Sequence, residues 1–228
     1  MKNNEDNDLN IKITNAMERI EALYNDTKGK CYLSFSGGKD STVLLALIKM
    51  CEDIYTIPKN SIPAVFCNTG IELGATVDFV KWCKDNWYSN IQIIRPDKSF
   101  DEIVKEYGKP IKSKMKSEML SRFQKSNDEE TMSFCYLMGE SKDGKKYSKT
   151  KLANKDMHLL HHDLQFKISN KCCEILKKKP FEKYAKQHNT NGYIIGERMA
   201  EGGVRELNAL KRLNRGGNSA PRLKAIKL

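Results

Sequence analysis

The sequence has no apolar run near the roughly 18 residues that a membrane-spanning helix needs, and its mean hydropathy is −0.63. A membrane partner is therefore not expected, and the reading is of a cytoplasmic protein. It also lacks the spaced cysteine framework of a small secreted domain. Its seven cysteines lie mostly inside apolar segments, which fits a reducing compartment and leaves any functional thiol to act as a ligand or a nucleophile. Acidic residues are scarce relative to basic ones, 29 Asp and Glu against 40 Lys and Arg, for a formal charge of +11 at pH 7. Such a surplus draws phosphate-bearing ligands and says nothing about fold, and most of these lysines read as solvated helix faces. There is no internal repeat.

What is there suffices for one sizeable core with a small appendage: 228 residues, 39% of them hydrophobic. Residues 9–28 carry Ile13, Ala16, Met17, Ile20, Leu23 and Tyr24 at helical spacing, and Gly29 is a natural stop. A buried strand at 31–35 leads through a glycine turn into a nearly all-round apolar helix at 42–51. Strands follow at 63–67 and 91–94, with a helix between them at 73–86 carrying Val77, Val80, Trp82 and Cys83. Ser99 is placed to cap a short helix ending at Tyr107, and a basic helical stretch spans 113–124. Residues 139–156 are dense in Lys, Ser, Gly and Asp and are expected to be a mobile insertion without structure, outside the core. Beyond them the spacing predicts a helix over 170–179 stopped by Pro180, a further helix to 187, a strand at 193–195 and a last helix at 200–213. Alternation of strand and helix implies an α/β fold, a Rossmann-like parallel sheet with helices on both faces, plus a small C-terminal helical part. The expected organisation is an N-terminal helix at 1–30, a nucleotide-binding domain at 31–205 and a basic tail at 206–228.

The chemistry concentrates in Ser36-Gly37-Gly38-Lys39-Asp40-Ser41-Thr42. Two glycines let backbone approach an anion, and the following helix directs unpaired amides and its positive dipole end to the same point. Ser36, Ser41 and Thr42 supply hydroxyls and Lys39 supplies neutralising charge. Asp40 either caps the helix or holds a magnesium ion through water. The strand before and the apolar helix after separate this loop from a simple glycine turn. It is not the Walker loop, whose lysine directly precedes the serine after a longer glycine spacing.

At these residues the chain resembles the PP-loop family, which comprises the N-type ATP pyrophosphatases and the phosphoadenosine phosphosulfate (PAPS) reductases, with an adenine nucleotide alpha hydrolase-like fold and the signature Ser-Gly-Gly-x-Asp-Ser. Asn68-Thr69-Gly70-Ile71-Glu72 looks like the family's second nucleotide-contacting turn. Gly196-Glu197-Arg198 with Glu201-Gly202-Gly203 and Arg205 looks like its C-terminal glycine, arginine and acid pattern. Lys171-Cys172-Cys173 through Pro180 is similar to the Cys-Cys and basic segment of PAPS-reductase-like proteins. The resemblance implies an ATP or PAPS ligand and one of two reactions: adenylylation of an acceptor with release of pyrophosphate, or reduction of a sulfonucleotide. It marks Lys39, Asp40, Arg198 and Arg205 as catalytic, the arginines on the distal phosphate or sulfate. The nucleotide contacts would be residues 36–42 with Asn68, Thr69, Gly70 and Gly196. The chain departs from the reductases in having no cysteine beyond Cys173, where they carry a catalytic one.

Cys172 and Cys173, with Cys135 as a third ligand, are the candidates for an iron–sulfur cluster of the kind the resemblance implies. Neighbouring helical side chains diverge by about 100 degrees, however, so the pair does not readily share one metal. Cys31, Cys51, Cys67 and Cys83 sit among aliphatic residues and read as core. His158, His161 and His162 read as structural or surface residues. Two other functions remain open at this point: a nucleotide-binding module without turnover, and a nucleic-acid sulfur-modification enzyme, to which the basic tail and the lysines of residues 112–125 are suited.

Overall fold

In the computed structural model, which describes residues 2–54, 56–126, 136, 139, 152–160, 164–196 and 224–226, short apolar runs become the strands of one parallel sheet. They are β1 (Cys31–Ser34), β2 (Ala64–Cys67), β3 (Ile91–Ile94), β4 (Gly192–Ile194) and β5 (Lys224–Ile226), in the order β3-β2-β1-β4-β5. The central strand β1 pairs on both sides, with Leu33 opposite Ala64 of β2 and opposite Ile194 of β4. The chain divides into two compact units, Met1–Arg95 with Phe181–Leu228, and Pro96–Pro180. The sheet belongs to the first.

Alternation of side chains across a strand assigns the layers. Cys31, Leu33 and Phe35, with Ala64, Phe66, Ile91 and Ile194, enter one core together with Ala16, Ile20 and Leu23 of α1 (Lys2–Asp26), Leu44, Leu45 and Ile48 of α2 (Lys39–Asp53) and Val80 and Cys83 of α3 (Gly74–Asn86). The residues of opposite parity, Tyr32, Val65, Ile94 and Tyr193, pack with Phe181, Tyr184 and Ala185 of a helix at Lys179–Gln187. Helices therefore cover both faces, as expected. The right-handed crossovers β1–α2–β2 and β2–α3–β3 step one way across the sheet. The return to β4, on the other side of β1, brings its helix to the opposite face.

Four expectations need correction. Trp82 does not join Val80 and Cys83 in the core; it is 55% exposed and stacks on Phe79, because one residue of helix turns it about 100° away from Cys83. Pro180 does not stop a helix. Lys171–Cys173 is α-helical, Glu174–Lys178 is π-helical and Lys179–Gln187 is α-helical without interruption. A proline in ordinary register clashes with the carbonyl four residues back, and the π turn, in which the Lys179 amide bonds the Glu174 carbonyl, relieves that demand. The basic tail at 206–228, where the one element expected is the end of the helix at 200–213, supplies the strand β5, whose Ala225 lies opposite Tyr193. Finally, the stretch assigned no structure ends in a 3-10 turn at Asn154–Leu159, with Leu152 and Asp156 buried. The expected last helix at 200–213 lies outside the described residues.

The second unit is built on α4 (Phe100–Tyr107) and α5 (Lys114–Lys125). Ser99 caps α4 in a reciprocal box: its hydroxyl accepts the Glu102 amide, and the Glu102 carboxylate accepts the Ser99 amide at 2.7 Å. Met119, Leu120 and Phe123 of α5 form a core with Tyr136, Leu152 and Ile168, while Ile103, Ile175 and Leu176 form another. Asp156 is fully buried and ion-paired to Lys116 and to Lys112, the latter at 3.2 Å. Among the described residues no helix is long and apolar enough to cross a membrane.

Candidate active site at the β1–α2 loop

β1 ends where the Phe35 amide donates to the Val65 carbonyl at 2.9 Å, and α2 starts at Lys39. Gly38 is the N-cap, in extended conformation (φ −85, ψ 164), and no side chain caps the helix. Helical geometry gives the first amides of α2, those of Lys39, Asp40 and Ser41, no carbonyl within the helix to bond. Asp40 lies in the first turn but does not cap. An uncapped N-terminus holding positive partial charge at the C-terminal edge of a parallel sheet is the anion site of such folds. Here it lies where the strand order reverses around β1, between β2 and β4.

The hydroxyls expected to serve a phosphate brace the loop itself. The Ser41 hydroxyl donates to the Gly38 carbonyl at 2.9 Å and accepts the Ser36 amide at 3.2 Å, and the Ser36 and Ser41 hydroxyls are 3.0 Å apart. The Thr42 hydroxyl also donates to the Gly38 carbonyl, at 3.0 Å. Lys39 and Ser36 are exposed, whereas Ser41 is buried. Gly37 has φ +70, and a Cβ there would stand 3.0 Å from Val80 Cγ2 and 3.1 Å from Thr76 Cγ2 of α3. Both the backbone conformation and the space demand glycine.

The second turn follows the adjacent strand. The Asn68 amide donates to the Ile94 carbonyl at 2.9 Å, ending the β2–β3 ladder, and the Asn68 side-chain oxygen accepts the Gly70 amide at 3.0 Å. Both Thr69 donors go to one carboxylate: its amide to Glu72 Oε2 at 2.8 Å and its hydroxyl to Glu72 Oε1 at 2.6 Å. Glu72 has no role expected from the sequence, yet its Thr-x-x-Glu spacing lets a carboxylate reach back three residues and is the local signal for this contact. Gly196, after β4, abuts the start of α2, since a Cβ on it would lie 3.0 Å from Asp40 Cβ and 3.5 Å from the Ser41 nitrogen. Loop, second turn and Gly196 thus stand at one edge of the sheet. Arg198 and Arg205 lie outside the described residues.

The cysteines divide as the sequence suggested. Cys31, Cys51, Cys67 and Cys83 are buried, and burial pushes the thiols of Cys31, Cys51 and Cys83 up, which makes them poor nucleophiles. Cys172 and Cys173 are half-buried, and Cys172 packs against the cluster of Ile103, Ile175 and Leu176. Two consecutive thiols do not fit a cluster that requires four ligands; Cys135 lies outside the described residues. Among the described residues no three His, Cys, Asp or Glu side chains gather as a metal site. His158 is exposed; His161 and His162 lie outside the described residues.

Residues 30–134 match the model of the phosphoadenosine phosphosulfate reductase domain. An uncharacterized protein of Methanocaldococcus jannaschii is 35% identical over 97 residues, which are 41% of this chain and 21% of that protein, so the chain spans about a fifth of this curated relative's length. The crystal structure of a PAPS reductase from Candida auris, a phosphate complex, aligns at a TM-score of 0.39 and 14% identity over 82% of this chain and 66% of that one. Residues 30–134, a little under half of the chain, are therefore PAPS reductase-like, and they hold the glycine loop that opens at the switch of the parallel sheet.

Proposed function

We propose that the chain binds an adenine nucleotide by its phosphates on the loop of residues 36–42 and transfers the adenylyl group to an acceptor, releasing pyrophosphate. The observation that carries this reading is the N-terminus of α2, which ends in Gly38 and has no side-chain cap. In the transfer, a nucleophilic oxygen or nitrogen of the acceptor bonds to the α-phosphorus as the bond to the pyrophosphate oxygen breaks, and the acceptor's proton passes to solvent. The negative charge that grows on the leaving group is met by the first amides of α2 and by the Lys39 ammonium, which is electrostatic catalysis and asks for no protein nucleophile. Magnesium, when bound, would share that charge, and Asp40 is the acid placed to hold it through water. We assign Arg198 and Arg205 to the distal phosphates on the strength of guanidinium geometry.

The family match favours a second reading, sulfonucleotide reduction, in which a thiolate attacks the sulfate sulfur. Cys31, Cys51 and Cys83 are unsuited by burial, which leaves this reading without an assigned nucleophile among them. Calorimetric titration with ATP and with PAPS, each with and without magnesium, separates the two. Tighter magnesium-dependent ATP binding supports adenylyl transfer, and preference for PAPS supports the reductase reading. Lys39→Ala and Asp40→Ala should each weaken nucleotide binding at least about tenfold, through loss of a charge-assisted contact, while the melting temperature holds. Unchanged affinity in both would remove the loop from the site.

A further inference from the structure

The second unit carries a surface that nucleotide binding does not use. Between the end of α4 and residues 164–168 lies an open-sided cavity of about 620 Å³, lined by Tyr107, Gln124, Lys125, Phe166 and Lys167 among others. Its volume falls within the roughly 300–1,000 Å³ of ligand sites. Phe166 is 39% exposed, yet its backbone is held from two sides. Gln124 donates to the Phe166 carbonyl at 3.1 Å and accepts the Ile168 amide at 2.8 Å. On the other side the Lys109 amide donates to the Lys167 carbonyl at 2.8 Å, and the Lys109 carbonyl accepts the Ser169 amide at 3.0 Å. The approach requires Gly108: a Cβ there would lie 2.3 Å from the Lys167 oxygen, and its φ is +108. The backbone that carries this exposed aromatic ring is thus held by two segments, Gln124 of α5 and Gly108–Lys109.

The charge around the ring is mostly positive. Lys109, which does not line the cavity, holds its ammonium 5.8 Å from the Phe166 centroid, while Lys125 and Lys167 border the cavity. Among the described residues none of these three lysines forms an ion pair, whereas Glu106, the acid at the cavity, is paired to Lys98. An exposed π face beside the ammonium groups of Lys125 and Lys167, which form no ion pair among the described residues, suits a ligand of alternating planar rings and phosphates, since bases stack on the ring and lysines neutralise the backbone. An acidic peptide would engage the lysines and leave the ring unused. We propose that this face of residues 96–180 binds single-stranded nucleic acid, with a base on Phe166 and backbone phosphates on Lys125 and Lys167. The inference is independent of the nucleotide site, none of whose residues it uses.

The test is fluorescence anisotropy of the full chain with a labelled oligothymidylate of about 15 nucleotides, matched to the span of a small single-strand site. Phe166→Leu, which keeps bulk and removes the π face, should weaken binding about tenfold, and Phe166→Trp should preserve it. With two phosphates neutralised, raising salt from about 50 to about 200 mM should weaken the unmodified chain about sevenfold, and the double variant Lys125→Glu/Lys167→Glu should flatten that dependence. Because both lysines are exposed, this double variant decides the matter even if Phe166→Leu does not fold. Calorimetry with ATP should be unchanged in all of them, and Lys39→Ala should bind the oligonucleotide normally, so failure here is distinguishable from failure of the nucleotide site. The proposal is overturned by absence of binding at the lower salt, by full affinity in both Phe166→Leu and the double lysine variant, or by polyglutamate displacing the strand at equal charge.

Discussion

At the scale of single residues, the candidate site depends on atoms that are missing as much as on those present. Gly37 combines a left-handed φ of +70 with methyl groups of Val80 and Thr76 3.0 and 3.1 Å from where a Cβ would stand. The loop can therefore turn toward α2 only with glycine. Gly37→Ala should lower stability by about 1–2 kcal/mol, the usual cost of an L-residue in this region, and weaken ATP binding at least tenfold by displacing the amides that follow. Urea titration beside calorimetry checks it, and full affinity would show that the loop tolerates the shift. The two glycines and the lysine were legible because residue types that serve an anion are few. The pairing of Thr69 with Glu72 is less legible, because a side chain's hydrogen-bond direction is set by its neighbours once folded. Glu72→Ala frees both Thr69 donors and should loosen the 68–70 turn, read as a several-fold loss of nucleotide affinity that Glu72→Gln restores in part.

At the scale of elements, helix starts were easier to read than the ways in which elements meet. The Ser99 box was visible as Ser followed three residues later by Glu, and it forms. Removing the hydroxyl by Ser99→Ala should cost about 1 kcal/mol, measurable as a shift in urea midpoint. Gly108 does more than follow the last residue of α4: it admits the Lys167 carbonyl. Gly108→Ala should destabilise by about 2 kcal/mol or more, combining overpacking with an unfavourable φ. Hydrogen exchange of the Lys109 and Ser169 amides, which hold the pairing, should quicken in the same variant; unaltered protection would mean that the backbone absorbs the methyl group. Pro180 and β5 were misread for a common reason. A proline inside a helix survives through a change of hydrogen-bond register, and a three-residue strand exists only because β4 offers it a ladder. Neither condition is local.

At the scale of the whole molecule, buried phenols tie stability to alkaline pH. Burial and the hydrogen bond to Glu52 push the Tyr88 hydroxyl well up, burial beside Tyr193 and Tyr184 does the same to Tyr32, and Tyr184 is pushed up to about 12 by burial. Each phenol is neutral when protonated and ionises near pH 10 in the unfolded chain. Their contribution is therefore complete below about pH 10 and is lost as pH rises through the folded values. Urea midpoints read from Trp82 and Trp87, both in the first unit, should be level from about pH 7 to 8, begin to fall near about pH 8.5 as the buried thiols of Cys31, Cys51 and Cys83 lose their contribution, and fall more steeply above about pH 10 with the phenols. Tyr88→Phe should lower stability at neutral pH by about 1–3 kcal/mol, since the buried Glu52 carboxyl and the Ile62 carbonyl, each 2.8 Å from the hydroxyl, lose the one phenolic proton they share, and should reduce the alkaline decline.

Legible without any fold were the succession of helices and strands over residues 9–124, the position of the glycine loop between β1 and α2, and the burial of Cys31, Cys51, Cys67 and Cys83. These follow from period, composition and backbone preference, which act over a few residues and need no partner. Folding had to settle that Ser41 and Thr42 turn their hydroxyls into the loop, that Thr69 gives both donors to Glu72, that Leu152 and Asp156 are inside, and that the second unit holds the backbone of Phe166 at its surface. Each of these depends on which chain segment arrives beside a residue. Contacts between residues distant in sequence repay their entropy only after the sheet and its helices have closed around them.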